Sequence, residues 1–154
     1  MKKKLLACAF AISAIISMSA AADEVESNKD AQAQLQKWVD AIKAHDAAKI
    51  VALYDDEAPL LSTFNPQPIT NQADRLAYFE ALTKKPDLSV TLGQAFYEEN
   101  GDIAIANGLY TFSFTGEDGK KVEVPARFSF VFEKEPDEGW EIESHHSSLV
   151  PEKH

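Results

Sequence analysis

Cysteine is nearly absent from the sequence, and the one that is present lies close to the N-terminus. Cys8 falls within an apolar stretch over residues 5–18, which follows three lysines at positions 2–4 and precedes the small residues Ser19-Ala20-Ala21-Ala22. This order of charge, apolar run and small residues is typical of a secretory signal peptide. We predict cleavage after Ala22, which removes the only thiol. Disulfides, a cysteine nucleophile and cysteine-ligated metals are then excluded from the mature protein.

The signal also sets the expected location and the expected boundaries. Leu5-Leu6-Ala7-Cys8 resembles a lipid-attachment box, but most of the apolar stretch lies after Cys8, which favours ordinary cleavage. The mature protein is then expected to be periplasmic or secreted. It should have a signal peptide at 1–22, a flexible N-terminus at 23–29 and one domain at 30–152, because this length predicts a single compact domain.

Positive charge is scarce as well. The chain has 15 Lys and Arg against 25 Asp and Glu, a formal net charge of −10, which becomes −13 once the three lysines of the signal are removed. Nucleic acids and anionic membrane surfaces are both bound through clustered positive charge. The composition therefore argues against nucleic acid as a partner, and it predicts no membrane association after signal cleavage.

Apolar residues recur at helical spacing in the first part of the domain and at alternating spacing in the rest. Helical patterns begin at three expected N-caps, which are Asp30, Asp46, and either Thr70 or Asn71. A short strand at 60–64 is expected before the third helix, and four longer strands follow at 88–98, 103–114, 122–132 and 140–150. Asn100-Gly101 is a strong hairpin signal between the first two of these. Helices followed by a four-strand antiparallel meander predict an α+β domain.

The last strand carries the residues that first suggest chemistry, in a stretch that reads WEIESHHSSLVP over residues 140–151. His145 and His146 are adjacent in a strand, so their side chains point to opposite faces and cannot converge on one metal ion. Ser147 and Ser148 follow in the same strand rather than on the sharp turn that exposes a nucleophile. We therefore predict no metal site, no cofactor and no Ser/His triad.

One arginine interrupts an aromatic strand. Over residues 126–132, Phe128, Phe130 and Phe132 alternate with Arg127 and Ser129, so the two sets point to opposite faces of the sheet. Alternation alone favours phenylalanines in the core and Arg127 in water, since large apolar side chains are usually buried. The other interpretation places Arg127 inside a cavity and covers the phenylalanines with a partner subunit.

Several segments together resemble one group of bacterial proteins. The resemblance is carried by residues 38–54, Tyr78-Phe79-Glu80, Gly101-Asp102-Ile103-Ala104, residues 108–112, Ala126-Arg127-Phe128, and the last strand through His145-His146-Ser147-Ser148 to Pro151. These segments are similar to bacterial relatives of the association (hub) domain of calcium/calmodulin-dependent protein kinase II, within the SnoaL-like, nuclear transport factor 2-like superfamily. The resemblance covers nearly all of residues 31–152. It implies a cystatin-like cone, in which a strongly curved antiparallel sheet wraps around helices and leaves a cavity at its open end.

The resemblance also implies where a ligand would lie. Arg127 falls on one of the arginine positions of the kinase hub pocket, while Tyr110 and Ser147 stand at or near two others, so only one arginine is expected here. The expected ligand-binding residues are Arg127, His146, His145, Tyr110, Ser129 and Tyr54, with one of the two histidines facing the cavity. The expected partners are a small anionic ligand and a second copy of the chain. In at least a homodimer, that copy would cover the phenylalanines.

Three functions are compatible with this pattern. The one we favour is a periplasmic oligomeric module that binds a small ligand or supports assembly. The second is an enzyme of the ketosteroid isomerase, cyclase or dehydratase type, which requires a buried general base. No acid stands alone on an apolar face for that role, and a dehydration site built on His146 and Tyr54 is the form that these residues allow. The third is an adaptor for a secreted partner, which no residue pattern singles out.

Overall fold

The structure, a computed structural model, describes residues 28–152. The predicted signal peptide lies outside the described residues. The helices are α1 (Lys29–Lys43), α2 (Ala47–Val51) and α3 (Gln72–Thr83). The strands are β1 (Leu60–Leu61), β2 (Ser89–Asn100), β3 (Ile103–Thr115), β4 (Lys121–Glu135) and β5 (Gly139–Leu149). Within this part of the chain, no helix is both long enough and apolar enough to cross a membrane.

Polar side chains begin the second and third helices as the sequence predicts. The Asp46 carboxylate accepts a hydrogen bond from the Lys49 backbone N–H at 3.0 Å, and the Asn71 side chain accepts one from the Asp74 backbone N–H at 2.9 Å. Each cap satisfies an N–H group that has no partner within its own helix. Both predicted N-caps are therefore confirmed, with Asn71 rather than Thr70 at the third helix.

The first helix begins differently. It starts at Lys29, one residue before the predicted cap Asp30, and the side chain of Asn28 makes no capping hydrogen bond. Instead, the Ala31 N–H donates to the Glu99 carboxylate of β2 at 2.8 Å. A distant strand thus supplies the acceptor that local sequence was expected to supply. Residues 28 and 29, the last two of the segment predicted to be flexible, lie at this helix start.

The strands form one five-stranded sheet in the order β1-β5-β4-β3-β2. The four long strands pair antiparallel as the predicted meander, while the short β1 pairs parallel with β5, so the sheet is mixed. The β2–β3 hairpin turns at Gly101, whose φ of 63° is a left-handed conformation that glycine adopts without strain. Register shifts between Leu92 and Ala95, and between Val131 and Phe132, mark irregularities of the kind that bend strands and curve a sheet.

The phenylalanine face of β4 is the inner face of the sheet. Phe128, Phe130 and Phe132 are 4%, 0% and 1% exposed, and the Trp38 ring of α1 meets the Phe130 ring edge-on with 5.3 Å between centroids. The interpretation that placed these phenylalanines on an outer face beneath a second subunit is therefore wrong. The helix layer already covers them, so the argument that a second copy must do so no longer holds.

The opposite face of β4 and β5 carries three of the predicted site residues. Arg127 is exposed, and its Nη2 donates to Ser148 Oγ at 3.1 Å. Ser129 pairs with His146 across the strands on this same outer face, where His146 is exposed. The prediction that Arg127, Ser129 and His146 face a cavity is wrong, because strand alternation places them opposite the buried phenylalanines. Of the two histidines, His145 faces inward and is 2% exposed, but Arg127, which was expected to face the cavity with it, does not.

Candidate functional site

The interior site lies where β5 meets the segment that leads out of α2. Tyr54 forms a parallel bridge with Ile142 of β5, and the Asp55 N–H donates to the Ile142 carbonyl at 3.1 Å. Further along β5, the His145 N–H donates to the Pro59 carbonyl at 3.0 Å. These backbone bonds place the Tyr54 side chain beside His145, although 91 positions separate the two residues in the sequence.

A chain of hydrogen bonds begins at Trp38 and runs through this interior. The Trp38 Nε1–H donates to the Tyr54 hydroxyl at 3.0 Å, and that hydroxyl lies 2.8 Å from His145 Nδ1. An indole N–H can only donate, so the Tyr54 oxygen accepts it and the Tyr54 O–H remains free to donate to His145 Nδ1. Tyr110 donates its own O–H to Ser147, so Nε2 is the nitrogen that donates to Tyr110 and Nδ1 is the unprotonated one. The neutral ring carries its proton on Nε2.

The chain continues from Nε2 with the same direction. His145 Nε2 lies 3.3 Å from the Tyr110 hydroxyl, which donates to Ser147 Oγ at 2.6 Å. Ser147 Oγ in turn makes a short hydrogen bond with the Thr63 hydroxyl. The Tyr110 O–H is donated to Ser147, so the Tyr110 oxygen accepts from the Nε2–H of His145, whereas either hydroxyl of the Ser147–Thr63 pair can be the donor. We call the set Trp38, Tyr54, His145, Tyr110, Ser147 and Thr63 the buried relay.

His145 is held neutral by its surroundings. Its ring stacks on Phe130 with 3.8 Å between centroids and an interplanar angle of 20°. Burial lowers the pKa of His145 to about 3, and the charge of the neighbouring His146 adds to this effect. Both ring nitrogens are already occupied within the buried relay. In this arrangement His145 has no free lone pair with which to accept a proton from a substrate.

The two relay tyrosines are also held in their neutral form. Burial raises the pKa of Tyr54 well above its ordinary value of 10.0, although the hydrogen bond from Trp38 offsets part of the rise. Burial raises the pKa of Tyr110 in the same way, and its bond to Ser147 offsets part of that rise. Neutral hydroxyls can donate and accept hydrogen bonds, but they supply no base at ordinary pH.

A small cavity lies against one end of the buried relay. Its volume is about 10 Å³, which is room for about one water molecule. Aromatic, aliphatic and hydroxyl-bearing side chains line it, and among these described residues there is no Asp, Glu, Lys or Arg. The lining residues are Trp38, Leu60, Ser62, Thr63, Tyr78, Phe79, Leu82, Tyr110, Phe112, His145 and Ser147. This interior is suited to uncharged groups.

One polar atom of the cavity wall has no partner. Ser62 is 8% exposed, and its Oγ is buried without a hydrogen-bond partner among the described residues. Burial raises the pKa of the adjacent Tyr78 to about 12, and Ser62 lies near enough to offset part of this rise. The geometry of the two hydroxyls nevertheless falls short of a hydrogen bond. Leaving a buried hydroxyl without a hydrogen-bond partner typically costs about 1–3 kcal/mol of folding free energy. The Ser62 hydroxyl is therefore available to form a hydrogen bond with a ligand.

A larger depression adjoins the cavity on the surface. It has a volume of about 430 Å³ and is lined by Phe64, Tyr78, Ala81, Leu82 and Lys85. Tyr78 and Leu82 also line the inner cavity, so these two side chains of α3 separate the depression from the interior. The depression is within the size range of sites for small organic ligands, whereas the inner cavity by itself is far below it.

Lys85 supplies the positive charge at this depression. Its Nζ lies 4.3 Å from the centroid of the Phe114 ring and 6.0 Å from that of Phe64. In the described part of the chain Lys85 forms no ion pair, whereas Lys49, Lys120 and Lys121 each do. A cation held over aromatic faces is stabilised by the ring quadrupoles and keeps its capacity to bind an anion.

Arg75 of α3 packs against the relay at Tyr54. It is 0% exposed, its Nη1 donates to the Asp55 carbonyl at 2.9 Å, and its Nη2 donates to the Ala58 carbonyl. The guanidinium carbon lies 4.9 Å from the centroid of the Tyr54 ring. Burial lowers the pKa of Arg75, while Tyr54 and two nearby aspartates oppose the change. Arg75 therefore fixes the loop that follows Tyr54 and packs against its ring.

The structure brings together three of the predicted site residues and separates the other three. Tyr54, Tyr110 and His145 meet in the buried relay, whereas Arg127, Ser129 and His146 lie on the outer face. The sequence analysis missed the other groups around the interior, namely Trp38, Ser62, Thr63, Tyr78, Lys85 and Arg75. A buried arginine has no signal in periodicity, but Ser62 and Thr63 were visible as polar residues inside the predicted strand at 60–64.

No group of three or more His, Cys, Asp and Glu among the described residues could hold a metal ion.

Comparison with known proteins assigns this chain to a family. The SnoaL-like domain family matches residues 31–152. The crystal structure of a protein from Xanthomonas campestris, assigned as a calcium/calmodulin-dependent protein kinase II association domain, shares 31% identity with a TM-score of 0.75, covering 81% of this chain and 89% of that one. No curated protein matches the sequence.

More distant structures share the fold alone. A nuclear transport factor 2-like protein from Salmonella enterica is 16% identical, with a TM-score of 0.72, and covers 85% of this chain and 96% of its own. A protein from Streptomyces avermitilis, described as a dehydratase of the same family, is 18% identical, with a TM-score of 0.70 and coverages of 86% and 99%. The predicted cystatin-like α+β fold is thus confirmed. The chain belongs to the SnoaL-like domain family.

Proposed function

We propose that the protein is a binding module for a small, mostly apolar molecule, which enters the interior through the depression at Phe64 and Lys85. The observation that carries this proposal is the buried Ser62 hydroxyl, which lines the cavity and has no partner. A native structure seldom leaves such a group unpaired, because the lost hydrogen bonds with water are not replaced. A hydroxyl or carbonyl group on a ligand would replace them.

The inner part of the ligand must be uncharged. No charged side chain lines the cavity in the described chain, and the relay histidine is neutral. A charged group placed there would lose its hydration without gaining an opposite charge. The wall instead offers the Ser62 hydroxyl for a hydrogen bond and the rings of Trp38, Tyr78 and Phe112 for apolar contact. A phenol or a small alcohol has this combination of groups.

The ligand must also displace part of the wall, because the inner cavity holds about one water molecule. Tyr78 and Leu82 stand between the cavity and the depression, so a rotation of the Tyr78 side chain would join the two spaces. In the depression, Lys85, which forms no ion pair with another described residue, would bind an anionic substituent at the outer end of the ligand. The predicted anionic ligand is thus kept as a proposal, with Lys85 in the role that was expected of Arg127.

Trp38 provides a direct test. The chain has two tryptophans, and the second, Trp140, donates to Asp30 near the start of α1 and does not line the cavity. In a Trp140→Phe background, the fluorescence of Trp38 should therefore report ligand entry. Titration with phenol should give a saturable change. The additional change Ser62→Ala should weaken phenol binding about fivefold, the value of one hydrogen bond.

The matched control for that test is Ser129→Ala, which removes a hydroxyl from the outer face. It should leave phenol binding unchanged. Equal affinity in the Ser62→Ala and parent proteins would show that Ser62 does not contact the ligand. The absence of any saturable change with phenol, p-cresol or benzoate would refute the binding module itself.

An isomerase, cyclase or dehydratase is less well supported. Such chemistry requires a group that removes a proton from the substrate. In the described interior no carboxylate lines the cavity, and His145 uses both of its nitrogens within the relay. A dehydration site built on His146 and Tyr54 is excluded by geometry, because His146 lies on the outer face of the sheet and Tyr54 on the inner one.

The periplasmic location and the homo-oligomer also stand as proposals. The location depends on the signal pattern of residues 1–22. Self-association can no longer be argued from the phenylalanines, but the outer sheet face exposes 61% of Phe96 and 43% of Leu109. Pairing of β2 and β3 places these two side chains on the same face as Arg127. We propose this outer face as the contact between two copies.

A further inference from the structure

His45 occupies a strained position between α1 and α2. Its φ is 55°, in the left-handed region that residues other than glycine seldom adopt. The residue ends α1, since the Ala44 N–H donates to the Asp40 carbonyl at 2.9 Å and the His45 N–H to the Ile42 carbonyl at 3.0 Å. Glycine or asparagine usually fills this place. Histidine is one of the residues that adopt this conformation more often than most, and here its side chain also contacts two other elements.

The imidazole ring of His45 is held between two backbone carbonyl groups. Its Nδ1 lies 2.8 Å from the Thr83 carbonyl oxygen at the end of α3, and its Nε2 lies 3.1 Å from the Leu88 carbonyl oxygen just before β2. Carbonyl oxygens only accept hydrogen bonds. A neutral imidazole has one N–H and can satisfy one of them, leaving a nitrogen lone pair facing the other. The doubly protonated ring satisfies both.

The C-terminal end of α3 lies beside the ring. Thr83 is the last residue of α3, where the aligned peptide dipoles attract a cation. Several charged residues lie close to His45, Thr83 or Leu88 in the sequence, and none of them forms a hydrogen bond or an ion pair with the ring: Lys43, Asp46, Lys84, Lys85 and Asp87. Asp46 is bonded to Lys49, and Asp87 accepts from the Thr115 hydroxyl at 2.7 Å.

We propose that His45 is a proton-operated clamp on the C-terminal end of α3. When protonated, the ring donates to both Thr83 and Leu88 and ties that end of the helix to the start of β2. When it loses a proton, one of the two bonds becomes a repulsive contact and the tie is weakened. Tyr78 and Leu82, which separate the depression from the cavity, lie within the last two turns of this helix. The clamp therefore controls how firmly that wall is held.

Amide hydrogen exchange of residues 78–88, apart from Pro86, tests the clamp without any ligand. Rates would be measured at about pH 5.5 and pH 7.5, two values within the range in which histidine side chains in proteins change charge, and divided by the intrinsic exchange rate at each pH. In the wild-type protein, protection of these residues should fall about fivefold at the higher pH, as expected for one charge-assisted bond in partial contact with water. His45→Asn keeps a residue that tolerates the left-handed backbone but cannot bridge both carbonyls. It should show low protection at both values.

The matched control is His146→Asn, which makes the same chemical change on the outer face and should keep the wild-type pH dependence. A second measurement, the nitrogen-15 shifts of the His45 ring, should show both nitrogens protonated at the lower pH. Protection of residues 78–88 that does not change between the two pH values in wild type would overturn the proposal. It would also be overturned if His45→Asn retained the wild-type pH dependence, or if the ring remained singly protonated throughout.

Discussion

Acidification below pH 6.5 should destabilise this fold through one buried ring, that of His145. Its pKa is lowered from 6.5 to about 3 by burial, so the unfolded chain binds a proton there that the folded chain does not. The neutral ring therefore contributes stability that is fully present above pH 6.5 and is lost as the pH falls toward 3. Each pH unit between the two values corresponds to about 1.36 kcal/mol. The whole interval amounts to about 5 kcal/mol, and the step from pH 7 to pH 5 to about 2 kcal/mol.

Urea unfolding at pH 7 and pH 5 would measure this loss. The wild-type protein and the His146→Gln control should both lose stability over that step. His145→Gln should be less stable than wild type at pH 7, since it removes the ring stacked on Phe130, but its loss over the same step should be about 2 kcal/mol smaller. In case that variant does not fold, the ring shifts of His145 in the wild type give a second readout, and they should show a neutral ring protonated on Nε2 at pH 5. Titration of the His145 ring near pH 6.5, or the same pH dependence in His145→Gln as in wild type, would refute the reasoning.

Three further predictions follow from the positions of the side chains. Phe130→Ala should lower the free energy of unfolding by about 3–5 kcal/mol in urea, because it opens a cavity in the core, whereas Arg127→Ala should change it by less than about 0.5 kcal/mol; similar costs for the two would contradict the assignment of faces. Lys85→Gln should weaken the binding of benzoate but not of phenol in the Trp38 fluorescence assay, with Lys84→Gln as the control, and equal benzoate binding in all three proteins would remove Lys85 from the site. Leu109→Lys should yield a folded monomer by light scattering if two copies meet through the outer face, and an unchanged oligomer would place the contact elsewhere.

The alternation of β4 shows what kind of information a sequence contains. It established that Arg127 and Phe130 point in opposite directions, because successive side chains of any strand do so. Which of them points inward depends on where α1 packs, and that is a tertiary fact. The preference for buried phenylalanines, taken from alternation alone, agrees with the structure. The opposite interpretation came from the resemblance to the kinase hub, which placed Arg127 on a pocket position.

Local signals were reliable where the physics is local. Asp46 and Asn71 cap their helices through bonds to N–H groups three residues away, and Gly101 turns a hairpin whose strands are adjacent in the sequence. The cap of α1 could not be predicted in this way. Its acceptor is Glu99, which is 68 residues from Ala31 and reaches it only because β2 lies beneath the helix.

By itself, the sequence determined the order of helices and strands, the meander and the two sets of faces, since these follow from periods and turns within short segments. It could also name Tyr54, Tyr110 and His145 as residues of interest. The tertiary structure alone decided that they form one directed relay, because that requires β5 to pair with the segment after α2 and α1 to bring Trp38 above the sheet. It also decided that Ser62 lacks a partner, because the pairing of a buried hydroxyl depends on every atom packed around it.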